Sequence, residues 1–280
     1  MSGNQRGILW IILFVSILPL MDAMTKALTD DYSAAQILAV RFIFVFLVLA
    51  PPALAGPGVG MLSPPNKGLL LVRGALISCS SMFYVAALAY LPLATMAAIT
   101  MLYPLIVTAV SPLLLGEKVG IYRYSAVILG FVGAVIVLRP TVDGIGTGEL
   151  LAIGAPVCFS AYIILTRHMS GQSDKMTQLL WTVAGAMIIL CIAAVQSWKP
   201  ITGEALGLMI MAGLFALGVY LSQIAAFDAG EASVIVPFSY LNIATAALAG
   251  YLIWGHLPDG LGWLGISLIA ISGVAVALRS

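Results

Sequence analysis

Ten apolar runs, each long enough to cross a bilayer and each separated from the next by a short connection, constrain this chain more than any other feature. They fall at 8–28, 34–54, 68–90, 94–115, 121–138, 149–169, 174–196, 204–227, 232–254 and 260–278. About 20 residues of helix cover the hydrocarbon layer, and inside that layer only helices and closed barrels satisfy their own backbone groups. The runs are continuous rather than alternating, so the predicted fold is an all-α membrane protein of ten transmembrane helices. The longest connection, PPALAGPGVGMLSPPNK from Pro51 to Lys67, is a Pro/Gly turn region with no room for a soluble module.

With 62% hydrophobic and 8% charged residues, the chain is no soluble globular domain, where about half of the residues are apolar and a quarter charged. A net charge of +1 offers no footprint for a nucleic-acid partner, and membrane lipid is the expected surrounding. Cys79, Cys158 and Cys191 all fall inside apolar runs, an odd number without a CxxC pair, and are read as small core residues. GIGTGE, from Gly144 to Glu149, lacks the ending of a phosphate loop, and His168 and His256 have no partnering ligand spacing. The expectation is a non-enzyme without cofactor or metal. Arg6 before the run Ile8 to Met21, with small residues near Ala23, imitates a signal peptide. The many later spans favour a retained first helix.

The chain reads as a duplication. FYVAALAYLPLATMAAITMLYPLIVTAVSPLLLGEKV, from Phe83 to Val119, holds a short helical hairpin turned at Leu91-Pro92 and closing on Gly116-Glu117. A weaker copy returns between Tyr220 and His256, with Ala94-Thr95-Met96 matching Ala232-Ser233-Val234 and Gly116 matching Gly255. GAVIVLRP, from Gly133 to Pro140, matches GVAVALRS, from Gly273 to Ser280, so the halves divide as 1–140 and 141–280. Five spans per half is an odd number, and the second copy enters the membrane from the opposite face. Arg6, Lys67, Arg73, Lys118, Arg123, Arg167, Lys175 and Arg279 collect on one side, against Lys26, Arg139 and Lys199 on the other. This bias places both termini in the cytoplasm.

Inverted repeats related by an axis in the membrane plane can exchange conformations and open one shared site to either side in turn. A transporter is the leading inference, although a pore, a receptor or a membrane enzyme could also be duplicated.

The ten spans, the two five-helix halves, LGEKV after the fourth span, the Gly-rich fifth and tenth spans ending in LRP and LRS, and DAMTKALTDDYSAAQILAVRF from Asp22 to Phe42 together resemble the EamA-type branch of the drug/metabolite transporter superfamily. The resemblance covers the whole chain. It implies a multi-pass carrier of the bacterial inner membrane for small metabolites, often an amino-acid or drug exporter. It also implies a cavity lined by the third, fourth, eighth and ninth helices with the first and sixth. Where the family commonly keeps a second acidic residue, Glu117 is answered by His256.

The residues that can carry chemistry lie inside the spans. Asp22, Lys26 and Arg41 are charges at membrane depth, which costs at least about 2.5 kcal/mol and is tolerated for paired groups or those facing a cavity. They are expected to form an outer gate or charge cluster, with Arg41 available to a substrate carboxylate. The structural alternative is an i, i+4 ion pair between Asp22 and Lys26. Tyr103 and Tyr240 are expected to contact a small-molecule substrate, with Tyr84, Gln223 and Asn242 orienting it, because a few polar groups in an apolar wall set specificity. Pro104 and Pro237 are candidate hinges among five intra-span prolines that also include Pro19, Pro112 and Pro156. Gly130, Gly133, Gly262 and Gly265 make small faces suited to close helix packing or a homodimer.

The resulting expectation is a secondary transporter exporting small metabolites, foremost amino acids, with aromatic or other hydrophobic ones included. The alternative is an importer or exchanger of a cationic metabolite such as S-adenosylmethionine, or of drugs, because relatives with DAxxK and QxxxxR segments resemble Asp22 to Lys26 and Gln36 to Arg41. A non-transporting receptor or assembly subunit is the alternative from another class.

Overall fold

The computed structural model describes residues 3–55, 64, 66–114, 119–139, 146–169 and 175–278. The first three spans are α1 (Gly3–Ala27), α2 (Ala34–Ala55) and α3 (Lys67–Leu88). The fourth span is divided into α4 (Leu93–Thr100) and α5 (Tyr103–Leu114), and α6 (Ile121–Leu138) is the fifth. Then follow α7 (Thr147–His168), α8 (Lys175–Ala194) and α9 (Gly203–Ala229); the ninth span is divided into α10 (Ala232–Ser239) and α11 (Leu241–Trp254), and α12 (Gly260–Ala277) closes the chain. Ten spans among the described residues are thus long and apolar enough to cross a membrane. Because successive spans run in opposite directions, Gly3 and Ala277 lie on one face, here the terminal face. Ala27, Leu88, Leu138 and Trp254 lie on the opposite, distal face.

Only two of the five intra-span prolines accompany a break. Pro104 has no N–H to return to the Thr100 carbonyl, and α4 tightens before it through a hydrogen bond from Leu102 N to Ile99 O of 3.0 Å. In the ninth span Tyr240 N donates to Pro237 O at 3.3 Å before α11 begins. Extending the match of Ala94 with Ala232 brings Met101-Leu102 opposite Ser239-Tyr240, so the two breaks occupy corresponding positions. Pro19, Pro112 and Pro156 sit inside continuous helices. The carbonyl that Pro19 frees, Val15 O, accepts from Thr245 Oγ1 of α11 at 2.7 Å, which explains why α1 continues.

Packing follows small residues. Gly133 of α6 and Gly265 of α12 face each other so closely that a Cβ on either would lie 2.7 Å from the other's carbonyl oxygen. A Cβ on Gly74 of α3 would lie 3.0 Å from the Ala186 amide of α8. Further pairings join α1 with α9, α3 with α7, α2 with α8, α4 with α11, α2 with α9, α1 with α10 and α5 with α7. Exchanging the first five spans for the last five converts each pairing into one of the same set. Leu93, Met96, Ile99, Leu105 and Ile269 form one core between α4, α5 and α12. Ile37, Leu38, Leu190 and Met209 form a second between α2, α8 and α9.

One expectation is corrected by this packing. Cys79 is exposed on the outer surface and Cys158 and Cys191 are half-buried, so the thiols are not core residues. Gly133 of α6 and Gly265 of α12 make the close helix packing expected of these small residues. Gly116 and Glu117 lie outside the described residues, whereas Gly255 ends α11 with φ of 69°, a left-handed conformation suited to glycine.

Candidate functional site

A chamber of about 180 Å³ lies between the two cores at mid-membrane depth. Asp22 reaches it from α1, Arg41 from α2, Tyr84 from α3, Thr100 and Tyr103 from the divided fourth span, Phe159 from α7, Tyr220 and Gln223 from α9, and Ser239 and Asn242 from the divided ninth span. The inward positions follow helical periodicity: Ile77, Ser80, Ser81 and Tyr84 share one face of α3.

The wall combines aromatic and polar groups. Tyr103 and Phe159 meet edge to face with centroids 4.8 Å apart, and Phe159 stacks on Tyr162 at 5.6 Å. The Tyr84 hydroxyl donates to Asp22 Oδ2 at 2.6 Å. Arg41, Gln223 and Asn242 face the chamber, and no side-chain hydrogen bond joins any of them to another of the described residues. Arg41 Nε and Asn242 Oδ1 are fully buried without a partner.

Two adjoining cavities, of about 310 and 320 Å³, share Phe159, Gln223 and Phe227 with the chamber. One runs past Thr108 and Ser111 to Arg123 and Arg167, and the other past Tyr162 and Thr166 beside α8. Both lead toward the terminal face. On the distal side Lys26 Nζ donates to the carbonyls of Leu88 and, at 2.9 Å, Leu91, and stands 5.9 Å from the Trp254 ring. A cation on the last carbonyls of α3 satisfies acceptors that a helix end leaves open. Tyr90 also packs against Gly148 there. The chamber therefore adjoins cavities on the terminal side, while Lys26 and Tyr90 tie helix ends together on the distal side.

The expected charge cluster divides. Asp22 and Arg41 share the chamber, while Lys26 is bound to the α3 terminus on the distal side. The i, i+4 ion pair of Asp22 with Lys26 does not form, because the carboxylate is taken by Tyr84 and the ammonium by the α3 terminus. Among the expected ligand contacts, Tyr84, Tyr103, Gln223 and Asn242 line the chamber, with Pro104 in the adjoining cavity.

Tyr240 does not line it. Its ring is buried against Gly273 of α12, with its hydroxyl 3.4 Å from Met101 O. Tyr240 and Asn242 are two residues apart, about 200° around a helix, so one turns in when the other turns out. Phe159, like Phe14 and Phe227, is a chamber residue that the sequence does not single out: α7 carries apolar side chains all round, so nothing in its pattern marks the inward face. Gln178 of α8 accepts from Arg73 Nη1 at 2.9 Å.

Comparison with known proteins fits this geometry. The EamA-like transporter family profile matches residues 5–139 and again 146–278. A riboflavin transporter of Rhizobium johnstonii is 30% identical over 94% of this chain and 88% of its own. An S-adenosylmethionine uptake transporter of Rickettsia prowazekii is 22% identical over 91% and 86%, and the pseudopaline exporter CntI of Pseudomonas aeruginosa is 24% identical over 98% and 96%. A known crystal structure superposes with a TM-score of 0.66 at 19% identity, over 99% of this chain and 97% of the other, and shares the fold. Relatives and family are transporters rather than enzymes. A mid-membrane chamber within ten spans, matched end to end by carriers of small molecules, makes this chain a member of the EamA-like transporter family in the drug/metabolite transporter superfamily, a multi-pass protein of the bacterial inner membrane.

Proposed function

We propose that the protein carries a flat, polar heterocycle of the riboflavin kind through the chamber by alternating access between inverted halves 1–140 and 141–280, with both termini cytoplasmic. The observation that carries this reading is the Tyr103–Phe159 aromatic pair sharing one chamber with the polar groups of Gln223 and Asn242. Aromatic faces hold a planar ring, and polar groups opposite fix its orientation. The adjoining cavities leave length for a polar tail beside the ring. The similarity to a riboflavin transporter at 30% identity supports the same class. Support for the inverted halves comes from the twofold profile match, the exchange of helix pairings between halves and the corresponding breaks near Pro104 and Pro237, which serve as hinges.

A second reading is export of an aromatic or hydrophobic amino acid. Asp22 and Arg41 favour it, since opposite charges in one chamber suit an α-ammonium and a carboxylate. A homodimer would use the outer face of α6, where Ile128, Val132 and Val135 are exposed.

Purified protein in vesicles, with riboflavin, S-adenosylmethionine and labelled tryptophan offered separately, tests the assignment. Saturable riboflavin flux that excess tryptophan does not inhibit is expected. Flux of tryptophan alone overturns the heterocycle reading in favour of the amino-acid one.

A further inference from the structure

We infer that Asn242 and Arg41 read one edge of the transported heterocycle, an edge on which an N–H lies beside a carbonyl or ring-nitrogen acceptor. The inference rests on the heterocycle reading and specifies what that ring must present.

Asn242, 3% exposed in the first turn of α11, and Arg41, 5% exposed within α2, approach the chamber from different helices. Asn242 Oδ1 has no donor and Arg41 Nε no acceptor. A buried polar atom without a partner is destabilising, so its persistence beside a ligand chamber is accounted for when the side chain turns to the ligand and the ligand supplies the partner. The two side chains differ in what they lack. A carboxamide offers an acceptor beside a donor, the complement of a cis-amide edge: Oδ1 accepts the ligand's N–H while Nδ2 donates to the neighbouring acceptor. A guanidinium offers donors only, in a planar fork, and suits a second carbonyl or another electron-rich atom on the ring.

An imide such as the pyrimidinedione end of a flavin presents this pattern in full. The amino group and adjacent ring nitrogen of an aminopurine present its donor–acceptor half, which a carboxamide also pairs with two bonds. The α-ammonium and carboxylate of a free amino acid present no such edge. Phe159 and Tyr103, in contact with each other, then border one face of the ring, leaving the edge for Asn242 and Arg41.

The test compares free and blocked edges on detergent-purified full-length protein. Riboflavin is measured against 3-methylriboflavin by fluorescence quenching, and adenosine against N6,N6-dimethyladenosine by thermal shift. In at least one pair the free-edge compound is expected to bind tenfold or more tightly than the blocked one. Asn242→Leu should bring that ratio to about one without lowering the unliganded unfolding temperature, because it removes a lone acceptor and fills the same space. Arg41→Lys, which loses the planar fork, should weaken the free-edge compound selectively. Equal binding of free and blocked compounds overturns the inference, as does a ratio that survives Asn242→Leu. Discrimination within the adenosine pair alone retains the edge and overturns the riboflavin assignment. Riboflavin binding without discrimination does the reverse, and failure of both pairs to bind overturns both.

Discussion

Tyr84 and Asp22 are joined at the chamber wall by a 2.6 Å hydrogen bond in which the phenol of α3 donates to the carboxylate of α1. Sequence separates them by 62 residues, and the bond links the first helix to the hairpin that carries the fourth. It gives a buried carboxylate the partner that its depth demands.

Removing the hydroxyl should be felt. A hydrogen bond to a charged group contributes roughly 1.5–3 kcal/mol when its loss leaves the partner buried. Tyr84→Phe is therefore expected to lower the unfolding temperature in detergent, and Asp22→Asn, which keeps an acceptor, to lower it less. A cycle of Tyr84→Phe with Asp22→Ala should show coupling of about 1 kcal/mol or more. Additive losses would mean that the bond carries no energy.

Lys26 binds the end of α3 and the turn before α4 on the distal side, where its ammonium is expected to close the chamber. Lys26→Met keeps the chain length but removes both hydrogen bonds. In a background without Cys79, Cys158 and Cys191, a cysteine at Thr100 should then react several-fold faster with a membrane-impermeant maleimide applied from the distal side. Lys26→Arg should restore much of the protection. An unchanged rate in Lys26→Met would assign closure to the Tyr90–Gly148 contact instead.

Tyr103 and Tyr240 should behave differently although each lies at one of the two breaks. Tyr103→Ala removes half of an edge-to-face pair in the chamber and is expected to weaken substrate binding by roughly tenfold, in line with about 0.5–1.5 kcal/mol for such a pair beyond its buried area. Tyr240→Phe loses only a 3.4 Å bond to Met101 O in the core and should leave affinity unchanged. The measurement is a binding isotherm for each variant.

Gly133 and Gly265 cannot take a side chain where they stand, because the atom met at 2.7 Å is backbone. Gly133→Ala is expected to destabilise by about 1–3 kcal/mol, the usual range for overpacking. Gly120, whose Cβ would meet nothing, is the control: Gly120→Ala should leave the unfolding temperature near its parent value.

Asp259 provides the pH-dependent element. Arg139, through its hydrogen bond, and then the Gly262 amide hold this carboxyl below its ordinary value. Its folded-state pKa lies below the unfolded one, so its contribution is present above about pH 3.9 and is lost as pH falls through the folded value. Unfolding temperature should be insensitive to this group from neutral pH down to about 5 and decline below about 4. Asp259→Asn keeps an N-cap acceptor for Gly262 but should remove the acid-sensitive part, seen in unfolding scans across that range.

The same pair accounts for Arg139, whose position on the side with fewer cations runs against the charge bias read from the sequence. It is neutralised there by Asp259, a residue of the other half. Such pairings connect positions 120 residues apart and leave no local signature.

Sequence alone determined the ten spans and the polar residues within them, because a bilayer demands length and apolarity that are local and countable. It also marked Pro104 and Pro237, since a missing N–H acts within one turn. Only the tertiary structure decided which polar groups meet. Asp22 stands one turn from Lys26 yet binds Tyr84, because the end of α3 offers the ammonium open carbonyls that the sequence cannot place nearby. Tyr240 and Asn242 are near neighbours in the chain, but the rotation of α11 sends one into the core and the other into the chamber. Phe159 is indistinguishable from a lipid-facing residue until α7 is set against α3. In a membrane span both faces are apolar, so composition fixes the helix, while the packing of small residues such as Gly133 on Gly265 fixes which side looks inward.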